Sequence, residues 1–138
     1  MTVLFDTNVV LDVLLDREPH NRASAAAWAA VENSGIESFV AAHAVTTIYY
    51  FLRKRLGAEE SRRALDATLS AFRVAAVDGA VVKEALRLPI SDFEDAVTAA
   101  AAHRAGCQFI VTRDLKGFSG SLVRHLPPEA IPDLIKRV

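Results

Sequence analysis

Apolar positions along this chain alternate between short continuous runs and stretches at helical spacing. Thr2 to Phe5 form a short apolar run, read as a buried strand. Asn8 to Leu15 follow at a helical period, with Val9, Val10, Val13 and Leu14 on one side. Pro19 punctuates, and His20 to Asn33 predict an Ala-rich helix carrying Trp28. Ile36 to Ala41 read as a second strand. His43 to Leu56 repeat Val45, Ile48, Tyr49 and Leu52 at helical spacing, and Gly57 closes that helix. Ala58 to Ala71 predict another helix, Phe72 to Val77 a third strand, and Gly79 to Leu88 a helix ending before Pro89. In "SDFEDAVTAAAAHRAG", Ser91 and Glu94 fit a capping box, which puts Asp92 at the first helical position and Asp95 one turn in. Cys107 to Thr112 read as a fourth buried strand, followed by a polar loop from Arg113 to Ser121 and a proline-punctuated tail with a weak helix. Strands alternating with helices predict an α/β fold: a three-layer α/β/α arrangement around a mainly parallel sheet of four or five strands.

Composition narrows the class. With 138 residues and 51% hydrophobic content, the expectation is one domain over residues 1–138 with its own core. The net charge of -1 argues against strong nonspecific binding to nucleic acid or membrane, while leaving room for local patches. The single Cys107 has no intrachain partner and lies in an apolar run, as a buried thiol does. No Cys/His spacing resembles a zinc site. The start does not read as a signal peptide, and the apolar stretches are too short or interrupted to span a bilayer, so a soluble cytoplasmic protein is expected.

The candidate chemistry lies in acids at strand ends. In open α/β sheets ligands gather outside the carboxyl ends of the strands. Asp6 ends the first strand, Asp114 follows the fourth, and Asp92 and Asp95 open the helix that feeds the fourth. If the first and fourth strands are neighbours, these acids crowd one edge. Such a cluster costs stability unless a cation neutralises it. Mg²⁺ or Mn²⁺ suits carboxylate oxygen, and such an ion activates water or stabilises charge on a phosphodiester. Each acid also has a plainer reading. Asp92 suits a helix first turn without function, Glu94 a capping box, and Asp114 a turn start. Asp12 and Asp16 read as the solvated face of the first helix.

"LFDTNVVLDVLL", "DFEDAVTAAAAHRAG" and "FIVTRDLKGF", in this order and spacing, resemble the landmarks of the PIN domain over nearly the whole chain. The resemblance implies a central parallel sheet and an acidic pocket binding Mg²⁺ or Mn²⁺. It implies a metal-dependent ribonuclease, many relatives being VapC-type toxins of toxin–antitoxin pairs, with an antitoxin as partner. The family's acids fall on Asp6, with Asn8 beside it, on Asp95 and on Asp114. The family's usual Glu after the second strand is missing here; Thr46 or Thr47 stands in its region, and Asp92 is a candidate to supply the lost charge.

For an RNA substrate, Arg113 and Lys116 beside Asp114 are placed to flank a phosphate, with Arg53, Lys54, Arg55 and Arg124 as further cations. Tyr49 and Tyr50 offer rings for stacking or for packing, and His43 is the histidine nearest the pocket mouth. The leading reading is a divalent-metal-dependent endoribonuclease acting on single-stranded RNA, with the toxin role attached. The alternative is a nuclease-deficient module binding RNA or protein. A haloacid-dehalogenase-like phosphatase needs an acid where Asn8 stands. A homodimer is expected from the Ala-rich helices and the "TTIYYFLRK" face.

Overall fold

A computed structural model describes residues 1–137. Five strands form one sheet: β1 (Thr2–Phe5), β2 (Glu37–Ala41), β3 (Arg73–Ala75), β4 (Phe109–Val111) and β5 (Arg124–Leu126). All neighbours pair in parallel, in the order β3-β2-β1-β4-β5. Between the strands run α1 (Thr7–Leu14), α2 (Asn21–Ser34), α3 (Ala42–Ala71), α4 (Gly79–Arg87) and α5 (Phe93–Arg104). A 3₁₀ turn at Pro128–Ala130 and α6 (Ile131–Lys136) follow β5.

The chain steps outward from β1 to β2 to β3, then returns across the sheet to β4. Right-handed crossovers therefore place α1 to α3 on one face and α4 and α5 on the other, which makes the α/β/α sandwich. The reversal falls between β1 and β4, so the crevice of this sheet opens beyond their carboxyl ends. β1 and β4 are read as apolar runs because both are buried: Val3, Leu4, Phe5, Ile110 and Val111 are each at most 1% exposed. α5 explains the alanine run. Residues 96–102, the middle of the helix, are buried on every side, and small side chains let its backbone approach the sheet and α4 closely.

Two expectations are corrected. Asp12 is not on a solvated face; its side chain is fully buried. The cap of α5 is Asp92, whose carboxylate accepts from the Asp95 backbone N–H at 3.0 Å, so the pair Ser91 and Glu94 does not form the box. Asp92 already carries the short acceptor side chain that a cap requires, one residue later than the pattern suggested. The break expected at Gly57 is present: the helix before it closes there and a second helical arm, read as Ala58 to Ala71, follows at an angle. Gly57 takes φ 78°, a conformation that L side chains avoid, and the two arms of α3 meet there. β5 was not read as a strand, since its three residues are flanked by polar loop and proline.

Candidate active site at the carboxyl ends of β1 and β4

Register brings the first two acids together. Phe5 pairs with Val111, so the next residues, Asp6 and Thr112, leave the sheet side by side. The Asp6 backbone N–H continues the ladder to the Val111 carbonyl at 2.9 Å. The Thr112 hydroxyl, itself buried, donates to Asp6 Oδ2 at 2.8 Å and accepts from the Asp114 N–H at 3.0 Å. One hydroxyl therefore fixes the first carboxylate and the loop carrying the last. The other Asp6 oxygen accepts from the Thr7 N–H at 2.8 Å, capping α1. Asp114 Oδ1 accepts from Gly117 N–H at 3.0 Å, and a Cβ at Gly117 would run into the Asp114 carboxylate. A side chain at 117 would therefore have to displace the Asp114 carboxylate. Thr112 and Gly117 were not singled out in the sequence; the motif "VTRDLKG" carries them without marking their contacts.

Asp95, half-buried in the first turn of α5, shares the same field. Burial and the charges of Asp6, Asp92, Asp114 and Glu94 push its pKa up to about 7. Burial raises Asp6 to about 6, against its hydrogen bonds to Thr112 and Thr7, with Glu94 and Asp114 adding repulsion. Asp6, Asp95 and Asp114 thus act on one another, together with Asp92 and Glu94, with no cationic side chain paired to any of them among the described residues. Asn8 adds a buried Oδ1 atom without a hydrogen-bond partner.

That donor set suits a hard divalent cation: carboxylate and amide oxygens, and mutual repulsion that a cation would relieve. As placed, the side chains are not gathered on one point. Among the described residues no group of three or more His, Cys, Asp or Glu is disposed to hold an ion. The chemistry of the residues fits the metal that the family implies, and closure onto it requires side-chain rotation.

The other sequence candidates fall differently. Arg113 does not face the acids. Its Nε lies 2.7 Å from Asp12 Oδ2 and a terminal nitrogen 3.2 Å from Asp12 Oδ1. Arg17 and Ser24 complete that buried cluster at 3.0 Å each. The guanidinium expected to flank a phosphate instead ties the loop before Asp114 to α1 and α2, because a buried carboxylate demands charge-assisted partners. Lys116 is exposed and forms no ion pair among the described residues. Thr46 is exposed, its hydroxyl donating to the His43 carbonyl at 3.0 Å, and Thr47 is half-buried. Neither hydroxyl bonds an acid of the cluster among the described residues. α3 presents His43 instead. Its Nε2 lies 3.3 Å from the Glu94 carbonyl and 3.2 Å from Thr98 Oγ1, and burial lowers its pKa.

Known structures share the fold. VapBC2 of Rickettsia felis, bound to a promoter DNA fragment, superposes with TM-score 0.73 at 14% identity, covering 92% of this chain and 98% of that one. Mycobacterium tuberculosis VapC20, a toxin that cleaves the sarcin–ricin loop, gives 0.68 at 18%, covering 88% and 98%. A toxin–antitoxin complex from Klebsiella pneumoniae gives 0.69 at 20%, covering 91% and 97%. No curated protein matches the sequence. The family model of the PIN domain matches residues 2–116, from β1 through the loop that carries Asp114, and the chain belongs to the PIN-domain family.

Proposed function

We propose that this chain is a divalent-metal-dependent endoribonuclease that cleaves single-stranded RNA, working in the cytoplasm as the toxin of a toxin–antitoxin pair. The observation that carries the reading is the shared field of Asp6, Asp95 and Asp114 at the β1–β4 switch point of a PIN domain. Asp6, Asp95 and Asp114 would hold Mg²⁺ or Mn²⁺, and the unpartnered Asn8 amide oxygen would add a further oxygen donor. The ion, when bound, supplies Lewis acidity toward a phosphodiester and its attacking water. The protein's part is positional. Thr112 and the Thr7 N–H orient Asp6, Gly117 orients Asp114, and the Asp92 cap holds the turn bearing Asp95. The exposed Lys116 supplies a cation for the phosphate backbone. Thr46 and Thr47 are carried on α3, Thr46 exposed beside His43.

An antitoxin partner is supported by the solved neighbours that are toxin–antitoxin complexes. A homodimer is supported by the exposed Tyr50, Phe51 and Leu56 on the first arm of α3. The test is cleavage of a single-stranded RNA by purified protein in Mn²⁺ or Mg²⁺ against an EDTA control. Cleavage is expected to require the metal and to disappear in Asp6→Asn and Asp95→Asn. A second reading, a nuclease-deficient binding module, draws on two observations: the acids do not converge on one point, and α3 offers no carboxylate at Thr46 or Thr47. RNA binding without metal-dependent cleavage would establish it.

A further inference from the structure

Between the two arms of α3 lies an open cavity of about 410 Å³ that the acidic cluster does not use. Val45, Tyr49, Leu65 and Leu69 form apolar walls, and Thr46, Arg62 and Asp66 add polar groups. The volume lies in the range of small-molecule pockets, roughly 300–1,000 Å³. Its charges stand outside the ion pairs of the described residues. Arg62 and Asp66 stand one turn apart on the second arm, yet neither is in an ion pair among the described residues. On the same arm Arg63 pairs with Glu59 and Glu60, so pairing at this spacing is available where nothing else is required. Arg62 instead lies over the Tyr49 ring, 5.8 Å from its centroid.

The cavity is coupled to the acids by contact. Thr46 donates to the His43 carbonyl, and the His43 ring touches the Glu94 carbonyl and the Thr98 hydroxyl on the acid-bearing end of α5. His43 and Thr46 are one helical turn apart, about 5 Å along the axis. A strand with a phosphate at Asp6 and Asp95 can therefore lay a neighbouring base in the cavity.

The polar groups select the base. A carboxylate only accepts, and two adjacent N–H donors occur together on the Watson–Crick edge of guanine alone. Arginine complements the O6 and N7 acceptors of the same base. An aromatic wall supplies stacking, the usual mode for unpaired RNA bases. We propose that the cavity between the arms of α3 is a guanine-binding subsite for single-stranded RNA, in which the exposed Arg62 swings off the Tyr49 ring to face O6 and N7, Tyr49 stacks the base, and Asp66 accepts from N1–H and N2–H. A partner-protein segment is the less favoured occupant, since Asp66 and Arg62 together match the donor and acceptor edges of a single base. The inference rests on the ribonuclease reading for the strand that brings the base, but occupancy needs no cleavage.

Binding of guanosine, adenosine, cytidine and uridine 5′-monophosphates to the full chain is measured in EDTA by NMR titration. The guanosine nucleotide is expected to bind at least 5-fold tighter than the others, in keeping with about 1–3 kcal/mol for a bidentate base contact. Asp66→Asn should erase that preference, and Tyr49→Leu should weaken all four nucleotides alike. Circular dichroism of each variant keeps loss of binding separate from loss of fold. Equal binding of the four, no binding, or a preference that survives Asp66→Asn overturns the subsite. So does a chain dimer that dissociates on Leu69→Asp while nucleotides fail to bind, because the cavity is then an interface. Cleavage of a randomised oligonucleotide tells the two readings apart. Guanosine selectivity without cleavage keeps the subsite and removes the nuclease. Cleavage without guanine selectivity, in binding or in cut position, keeps the nuclease and removes the subsite.

Discussion

Replacing Asp6 with Asn should make the metal-free protein more stable at pH 8 and slightly less stable at pH 4. Asp6 is 6% exposed, and its pKa rises from 3.8 to about 6 on folding, chiefly through burial. A carboxyl with a raised folded pKa binds its proton more tightly in the folded state. Its contribution is intact below about pH 4 and is lost as pH rises through about 6. The difference of about two pH units corresponds to about 3 kcal/mol of destabilisation once Asp6 is fully ionised. Asparagine never incurs that cost. It does disturb one hydrogen bond, because only one of its two terminal atoms accepts, while Thr112 and the Thr7 N–H both donate to Asp6. An unsatisfied donor costs about 1–2 kcal/mol. The net at pH 8 is a gain of about 1–2 kcal/mol, or roughly 3–8 °C in Tm for a chain of this size. Removing the Asp6 charge also relieves Asp95, whose pKa should fall from about 7, adding to the gain in the same direction. At pH 4 the ionisation term vanishes and the hydrogen-bond loss remains, so the two stability curves cross. Thermal denaturation of both proteins in EDTA from pH 4 to 8 tests this. A Tm difference independent of pH, or a variant less stable at pH 8, would refute the assignment of Asp6 as a buried, repelled carboxylate. Mn²⁺ at 100 times its dissociation constant should stabilise the native chain by about 2.7 kcal/mol and leave Asp6→Asn unmoved; equal Mn²⁺ affinity by calorimetry would remove Asp6 from the ligand set.

Other perturbations separate neighbouring roles. Asp12→Ala should cost about 3 kcal/mol by urea denaturation, because it strands Arg17 and Arg113 around an emptied buried site; a loss under 1 kcal/mol would contradict the cluster's structural part. Asp92→Asn keeps a good cap and should leave stability within a few tenths of a kcal/mol, while Asp92→Ala should cost about 1 kcal/mol. If Asp92→Asn lowers Mn²⁺ affinity strongly, Asp92 replaces the missing family Glu and is more than a cap. Gly117→Ala should displace the Asp114 carboxylate and weaken Mn²⁺ binding at near-native Tm, and unchanged affinity would remove Asp114 from the site.

The sequence alone determined the local elements and the identity of the acids. Continuous apolar runs at β1 and β4, helical periods at α1 to α5, and acids just past strand ends follow from side-chain period and polarity, which are local properties. The PIN landmarks were legible for the same reason, since "FDTN", "DFEDA" and "VTRD" are contiguous. Tertiary structure decided what each polar side chain touches. Arg113 and Asp12 are 101 positions apart and become one buried ion pair, so a phosphate contact became a loop anchor and a surface acid became a buried one. Thr112 gained its part only when the β1–β4 register set it beside Asp6, across 106 positions. The cavity of α3 exists because Gly57 takes a positive φ and folds a second helical arm back on the first. Hydrogen bonds and ion pairs are short-ranged, and their partners are fixed by chain crossovers and strand register. Periodicity records which face of an element is buried, and it carries no information about which distant side chain lies opposite.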